Sequence, residues 1–316
     1  MSEAKVVAPV VVGAIRKRSR GMLADMAVRL VKEKPLGLVG AVIVLALFLT
    51  GVSSNTLAPF GYNDIILSLR LSPPNTTYLL GGDNLGRDLL SRIIYGARIS
   101  MVVGLSGAAL HIIVGTLVGA VSGFYGGWYD TVVQRFVDSL QCFPSLLLYL
   151  TVMVIIGQGL VPIILVLGIS SGFYGSRTIR SAVIGMKENC YIEAATAVGS
   201  SVNRTLLVHV LPNVMPVLII EFTLSVGRMI LSEAMLSFLG FGIPPPLPSW
   251  GGMLSGPGRQ YMLLAPWMAL WPGLALAIAV YGVNMLGDAI RDLWDPRLRG
   301  GVGRYDRSNV KKRAPV

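Results

Sequence analysis

Six long apolar stretches, nearly free of charge, dominate this chain, and segments of that length and character belong in a lipid bilayer. A helix rises about 1.5 Å per residue, so crossing a hydrocarbon core about 30 Å thick takes about 20 mostly apolar residues. The first stretch covers 36–57 and the second 99–125, neither with an acid, Lys or Arg. From Ser139 to Ser176 there is again no such residue, a run too long for one crossing. Gly157-Gln158-Gly159 and Pro162 divide it into spans at 139–156 and 160–176 joined by a tight turn. The fifth span is 214–238 and the sixth 266–287. The expected fold is therefore all-α, a polytopic membrane protein with six transmembrane helices.

The charge follows the same plan. With 27 Lys and Arg against 16 acids the formal charge is +11, which in a soluble protein would point to nucleic acid or an acidic surface. Here the cations gather at the ends of the spans. Lys5, Arg16, Lys17, Arg18, Arg20, Arg29, Lys32 and Lys34 precede the first, and Arg291, Arg297, Arg299, Arg304, Arg307, Lys311, Lys312 and Arg313 follow the last. Arg177, Arg180, Lys187 and Arg204 lie between the fourth and fifth. The positive-inside rule puts both termini and this loop in the cytoplasm, which six crossings satisfy. The segments carrying Arg70, Arg87, Arg92 and Arg259 fall outside. The domain plan is a basic cytoplasmic segment 1–35, a transmembrane domain 36–290 with a cytoplasmic loop 187–212, and a basic cytoplasmic tail 291–316. The partner implied is lipid, not nucleic acid. The first span is longer than a signal peptide's apolar core and begins too far into the chain, so it reads as a retained helix.

Within the bilayer, close helix contact depends on small residues. Gly115, Gly119 and Gly123 recur at four-residue intervals on one face of the second span, and Gly168 and Gly172 do so on the fourth, which marks packing seams. The fifth span differs, because it carries Glu221, Arg228 and Glu233 at a depth where a charge costs several kcal/mol. At 100° per residue Glu221, Ser225, Arg228 and Ser232 share one stripe while Glu233 points away. That stripe faces a water-filled path or a seam with a second subunit, or else is an ion pair that only holds the bundle. Cys142 and Cys190 give no disulfide framework, and each reads as a buried or cytosol-facing thiol. His111 and His209 lack metal-ligand neighbours at helical spacing, so no metal site is expected. The pentapeptide SGFYG occurs at 122–126 and 171–175, where the plan has a helix leaving the bilayer and Gly ending it.

The cytoplasmic loop carries the most specific pattern. Glu193-Ala194-Ala195, then three residues, Gly199, nine residues and His209-Val210-Leu211-Pro212 set several letters at fixed spacing. Glu193 with two alanines makes a short helix that admits close docking, Gly199 permits a sharp turn, and Pro212 can begin the fifth span. This resembles the EAA loop of ATP-binding-cassette importer permeases, with His209 where the general pattern has Ile. Three more stretches are similar to the dipeptide, oligopeptide and nickel branch, and to its C-type subunit. They are Gly82 to Ser100 with Asp83, Arg87, Asp88, Ser91 and Arg92; Leu236 to Leu254 with Pro244-Pro245-Pro246 and Trp250; and Asn284 to Leu298. This chain has Gly82 where the family more often has Thr.

The resemblance implies a type I importer permease of the MetI-like fold in a bacterial cytoplasmic (inner) membrane, importing peptide, nickel or another small solute. It also implies a homologous second permease, one or two ATPase subunits and an extracytoplasmic peptide-binding protein. The chain has no G-x-x-x-x-G-K-[ST] loop, so it is expected to bind no cofactor, ATP and Mg belonging to the partner ATPase. Glu193, Ala194, Ala195, Gly199, His209, Leu211 and Pro212 would then form the coupling element, and catalytic residues are absent from the reading. An ion-coupled secondary transporter is the alternative from another class.

Overall fold

The computed structural model describes residues 22–294, and its regular structure is helical apart from one isolated bridge between Gly82 and Asp88. The tail cations before residue 22 and beyond residue 294 lie outside the described residues. Helix α1 (Met22–Glu33) stops at Lys34, whose φ of −135° and ψ of 73° leave the helical region because a proline follows. Pro35 then opens α2 (Pro35–Val52), where its missing N–H is harmless, and α3 (Ser54–Leu57) adds one turn after a break at Ser53. The Lys34 ammonium pairs with Asp292 at 2.5 Å, tying this corner to the last helix.

Helix α4 (Leu89–Tyr125) is 37 residues long, about 55 Å at the usual rise, and so overreaches the bilayer core. Asp88 caps it by accepting from Ser91 N at 2.8 Å, and Gly126 at φ 67° ends it. Helices α5 (Gly127–Gln141) and α6 (Ser145–Ile156) follow, bent 89° from each other across Cys142 to Pro144. The span expected at 139–156 is therefore not straight: Pro144 breaks it, and α6 alone has 12 residues. Among the described residues five helices are long and apolar enough to cross a membrane, or six if the bent pair counts as one span.

Helix α7 (Leu160–Lys187) continues past the expected end at 176, through Arg177 and Arg180. Their charges find partners on α5, Arg177 with Asp138 and Arg180 with Asp130 at 2.5–2.6 Å in a two-pronged pair. The second SGFYG thus does not end a helix. Gly175 sits inside α7 against the His111 ring, Nε2 lying 2.7 Å from where a Cβ would be. A short α8 (Cys190–Ala197) leads to α9 (Val202–Arg204), a wide π turn at Thr205–Val210 and α10 (Leu211–Phe238). These last three run on as one 37-residue helix, Val202–Phe238. Pro212 consequently lies inside the helix instead of starting it. Its ring would crowd the carbonyl of the preceding turn in a regular α-helix, and the wider turn at 205–210 relieves that conflict. Two small helices, α11 (Trp250–Leu254) and α12 (Gly256–Gln260), precede α13 (Trp267–Trp294).

The two glycine rows face each other across α4 and α7. A Cβ at Gly123 would meet the Arg180 carbonyl at 2.9 Å, one at Gly115 the Gly172 carbonyl at 3.2 Å, and one at Gly119 the Ser176 and Arg180 backbone. From the other side, Gly168 lies against Leu110 at 2.7 Å and Gly172 against Val114 at 2.7 Å. A second close approach joins α2 to α13, where a Cβ at Gly40 would come within 2.7 Å of Gly282 O and Leu286 N. Val103, Met153, Ile163, Leu167 and Met229 form the core among α4, α6, α7 and α10.

Candidate functional site

Chain connectivity sorts the loops onto two ends. At one end Tyr125 donates to Asn203 Oδ1 at 3.1 Å and Lys187 to the Phe124 carbonyl at 2.8 Å, gathering the ends of α4 and α7 around the segment 188–204. At the other, Trp250 donates to Ile93 O at 3.1 Å and Trp267 to Gly82 O at 3.2 Å, fastening the segments after α10 to the start of α4.

The first end holds the E-A-A pattern. Helix α8 closes in a Schellman turn: Gly199 N donates to Thr196 O at 2.9 Å and Ser200 N to Ala195 O at 3.0 Å, with Gly199 at φ 88°. That φ explains the glycine, since nothing lies within 4 Å of its would-be Cβ and only backbone strain opposes a side chain. Ile192 is buried with Leu206 and Val210, so α8 is riveted to the π turn by apolar contact. Glu193, Ala194 and Pro212 are exposed, Ala195, His209 and Leu211 are half-buried, and Val198 stands 90% exposed at the tip. The anchor Ile192 was not singled out from sequence; its apolar side chain between Tyr191 and Glu193 was the available signal.

The second constellation is the charged stripe of α10. Arg228 Nη2 donates to Glu221 Oε2 at 3.1 Å, so the structure brings this pair together. The same oxygen lies 3.8 Å from His111 Nε2 on α4. His111 therefore does not stand apart from carboxylates, as its sequence neighbours suggested, but meets one across the helix interface. The three groups are graded in exposure. The His111 side chain is 2% exposed, Glu221 17% and Arg228 58%, so the cation leans out of the molecule. Ser225 is buried under the pair with its hydroxyl on Phe222 O at 2.8 Å, and Ser232 is half-buried.

Glu233, which points away from the stripe, is wholly buried. Its Oε1 accepts from Ser237 Oγ at 2.6 Å, Ser237 in turn lies 3.3 Å from Ser249 Oγ, and Oε2 has no hydrogen-bond partner among the described residues. In the loop before α4, Tyr78 is buried and donates to Gly86 O at 3.0 Å. Burial, aided by Asp88, Asp83 and Asp64, raises its hydroxyl pKa above the ordinary tyrosine value. Cys142 and Cys190 are both exposed free thiols, so neither is buried.

Comparison with known proteins places this geometry among transporters. Residues 112–300 match the family model described as binding-protein-dependent transport system inner membrane component. A dipeptide transport system permease protein of Alkalihalophilus pseudofirmus is 37% identical over 273 residues, covering 86% of this chain and 90% of the relative. An oligopeptide transport system permease protein of Bacillus subtilis is 35% identical, covering 90% and 93%. A glutathione transport system permease protein of Escherichia coli is 34% identical, covering 85% and 89%. Among solved structures, a chain of the inward-facing MetNI methionine ABC transporter aligns with a TM-score of 0.53 at 19% identity, over 64% of this chain and 96% of that chain. That last likeness is one of fold.

Proposed function

Because the chain belongs to the family of binding-protein-dependent transport system inner membrane components, we propose that it is one of two permeases of an ATP-driven importer of small peptides, worked by a separate ATPase through α8. The observation that carries the coupling role is the build of the hairpin. A short helix with Glu193, Ala194 and Val198 turned outward is pinned by Ile192 to a helix that runs unbroken from Val202 to Phe238. Force applied to α8 passes through the π turn at 205–210 and past Pro212 and Pro216 into α10, so the hairpin and the spanning helix are joined by continuous helical backbone. Closure of the ATPases on ATP moves α8, α10 moves with it, and the path shared by the two permeases switches from outward to inward access. The hydrolysis itself, with its ATP and Mg, takes place on the ATPase.

The names of the relatives support peptide as cargo, and an extracytoplasmic binding protein delivers it. The Glu221–Arg228 pair fits the face that this chain turns toward the second permease and the path between them. A cation 58% exposed partway along a spanning helix costs several kcal/mol against lipid, and water or protein removes that cost. Both termini and the 187–212 loop then lie in the cytoplasm.

The test is uptake and ATP hydrolysis measured together on the assembled transporter in vesicles. Glu193→Ala removes the outward carboxylate, and Gly199→Val forces a β-branched residue to φ 88°, at a strain of about 1–2 kcal/mol. Both are expected to retain assembly and hydrolysis and to lose most uptake. Normal uptake in both variants removes the coupling assignment, and uptake driven by an ion gradient without nucleotide favours a secondary transporter.

A further inference from the structure

At the end opposite α8 a cavity of about 180 Å³ opens between the loop before α4, the turn at Gln158 and the segments after α10. Its polar wall includes Asp83, Arg87 and Arg92, with Asn84, Gln158 and three serines, Ser237, Ser249 and Ser255, around them. Both arginines are nearly buried, at 7% and 6% exposure, yet they share a single carboxylate. Arg87 Nε donates to Asp83 Oδ2 at 2.6 Å, and Arg92 Nε stands 3.7 Å from the same oxygen. Asp83 Oδ1 is spent on its own loop, accepting from Leu85 N and Arg87 N at 2.8 and 2.9 Å. Arg92 Nη1 donates to Tyr62 O at 2.9 Å and reaches Pro246 O at 3.4 Å. Both Nη groups of Arg87 and Nη2 of Arg92 are left without an acceptor among the described residues.

Neighbouring acids do not supply one. Asp88 is not among the cavity walls: its Oδ2 caps α4 through Ser91 N and Ser91 Oγ, and its Oδ1, buried and unpaired among the described residues, lies within 4.0 Å of no cation there. Glu233 binds Ser237 and lies within 4.0 Å of no cation among the described residues. The open fork of Arg87 and one further donor on Arg92 therefore line the recess without a partner, and a planar carboxylate is the group the Arg87 fork matches. The low-dielectric walls, Ile243, Met253 and Met268, strengthen such a bond and suit an aliphatic stem. The volume is below the ~300–1,000 Å³ usual for a whole small-molecule ligand, so one side chain fits better than a free solute. The rim residues Pro244, Pro245 and Leu247 are exposed, leaving the mouth reachable from that side.

We propose that this recess is a docking pocket for an acidic side chain of the extracytoplasmic binding protein, held by Arg87 and Arg92. It rests on the reading of the chain as an importer permease with its loops oriented as above. The measurement is association of the purified binding protein with the complete transporter in nanodiscs, by biolayer interferometry, for the parent, Arg87→Lys and Arg87→Gln. Arg87→Gln should weaken association at least tenfold and Arg87→Lys by less, because lysine keeps the charge and loses the fork, while ATPase activity without binding protein stays at the parent level. Since Arg87→Gln also leaves Asp83 unpaired, the parent is measured again with glutarate replacing chloride at equal ionic strength, where free carboxylate should compete. Association indifferent to both Arg87→Gln and glutarate, in a transporter that still takes up peptide, overturns this inference alone. If Arg87→Gln leaves association intact but raises KM for peptides with a free C-terminus over amidated ones, the pocket serves substrate and the docking proposal is wrong. Failure of the parent to associate with any binding protein or ATPase counts instead against the function proposed above.

Discussion

The seam between α4 and α7 can be tested by one methyl group, Gly119→Ala. The added carbon would meet only backbone: the Ser176 carbonyl carbon at 3.0 Å, its oxygen nearer still, and Arg180 N at 3.1 Å. Backbone cannot swing aside as a side chain can, so the two helices must separate by about 0.5–1 Å. A gap of that size forfeits a quarter to a half of the ~0.1–0.2 kcal/mol in each atomic contact, and over on the order of forty contacts the loss is about 1–4 kcal/mol. Alanine's helix propensity restores about 1 kcal/mol. The net destabilisation is about 0–3 kcal/mol, with a midpoint of about 1.5 kcal/mol, in line with the usual cost of overpacking. Gly185→Ala on α7 is the control, because nothing lies within 4 Å of its Cβ position. Thermal unfolding of the detergent-purified transporter, followed by fluorescence-detected size exclusion, should show Gly119→Ala melting below the parent and Gly185→Ala at or above it. Coincident melting of all three would refute the claim that backbone contact at this seam requires glycine.

The remaining expectations concern topology and the loop before α4. Cys190 is exposed at the start of α8, so a membrane-impermeant maleimide should label it in inside-out vesicles, with bound ATPase giving protection; labelling from the periplasmic face alone would invert the topology. Tyr78 has a raised pKa, so its neutral form favours the fold: that contribution is full below about pH 10, the unfolded value, and is lost as pH climbs through the folded one. An alkaline protease should therefore cut the segment before α4 faster at pH 11 than at pH 9, and Tyr78→Phe should flatten that step; an unchanged step would exclude Tyr78 as its source.

Apolar runs pointed to the five helices long and apolar enough to cross a membrane, because burying charge in lipid is costly, while the stretch at 139–156 falls in a pair bent by 89°. They did not disclose where the helices end. Arg177 and Arg180 looked like a terminus, yet α7 carries them onward because Asp138 and Asp130 on α5 neutralise them. Likewise Pro212 reads locally as a helix start, and only the π turn upstream shows how a longer helix accommodates it. The E-A-A pattern could be found because it is local, and the Gly199 conformation follows from it. His111 beside Glu221, and the recess joining Arg92 to Pro246, depend on residues brought together by tertiary packing, which no short-range pattern encodes.

The continuous helix from Val202 to Phe238 has a thermodynamic corollary. One end of it meets the hairpin, while Ser237, near the other end, helps wall the recess. If this helix has two resting positions, a ligand that prefers one of them at either end alters affinity at the far end by an identical factor. On the proposed docking, a nucleotide-loaded ATPase that weakens binding of the delivery protein must then itself bind more weakly, by the same factor, while that protein is in place.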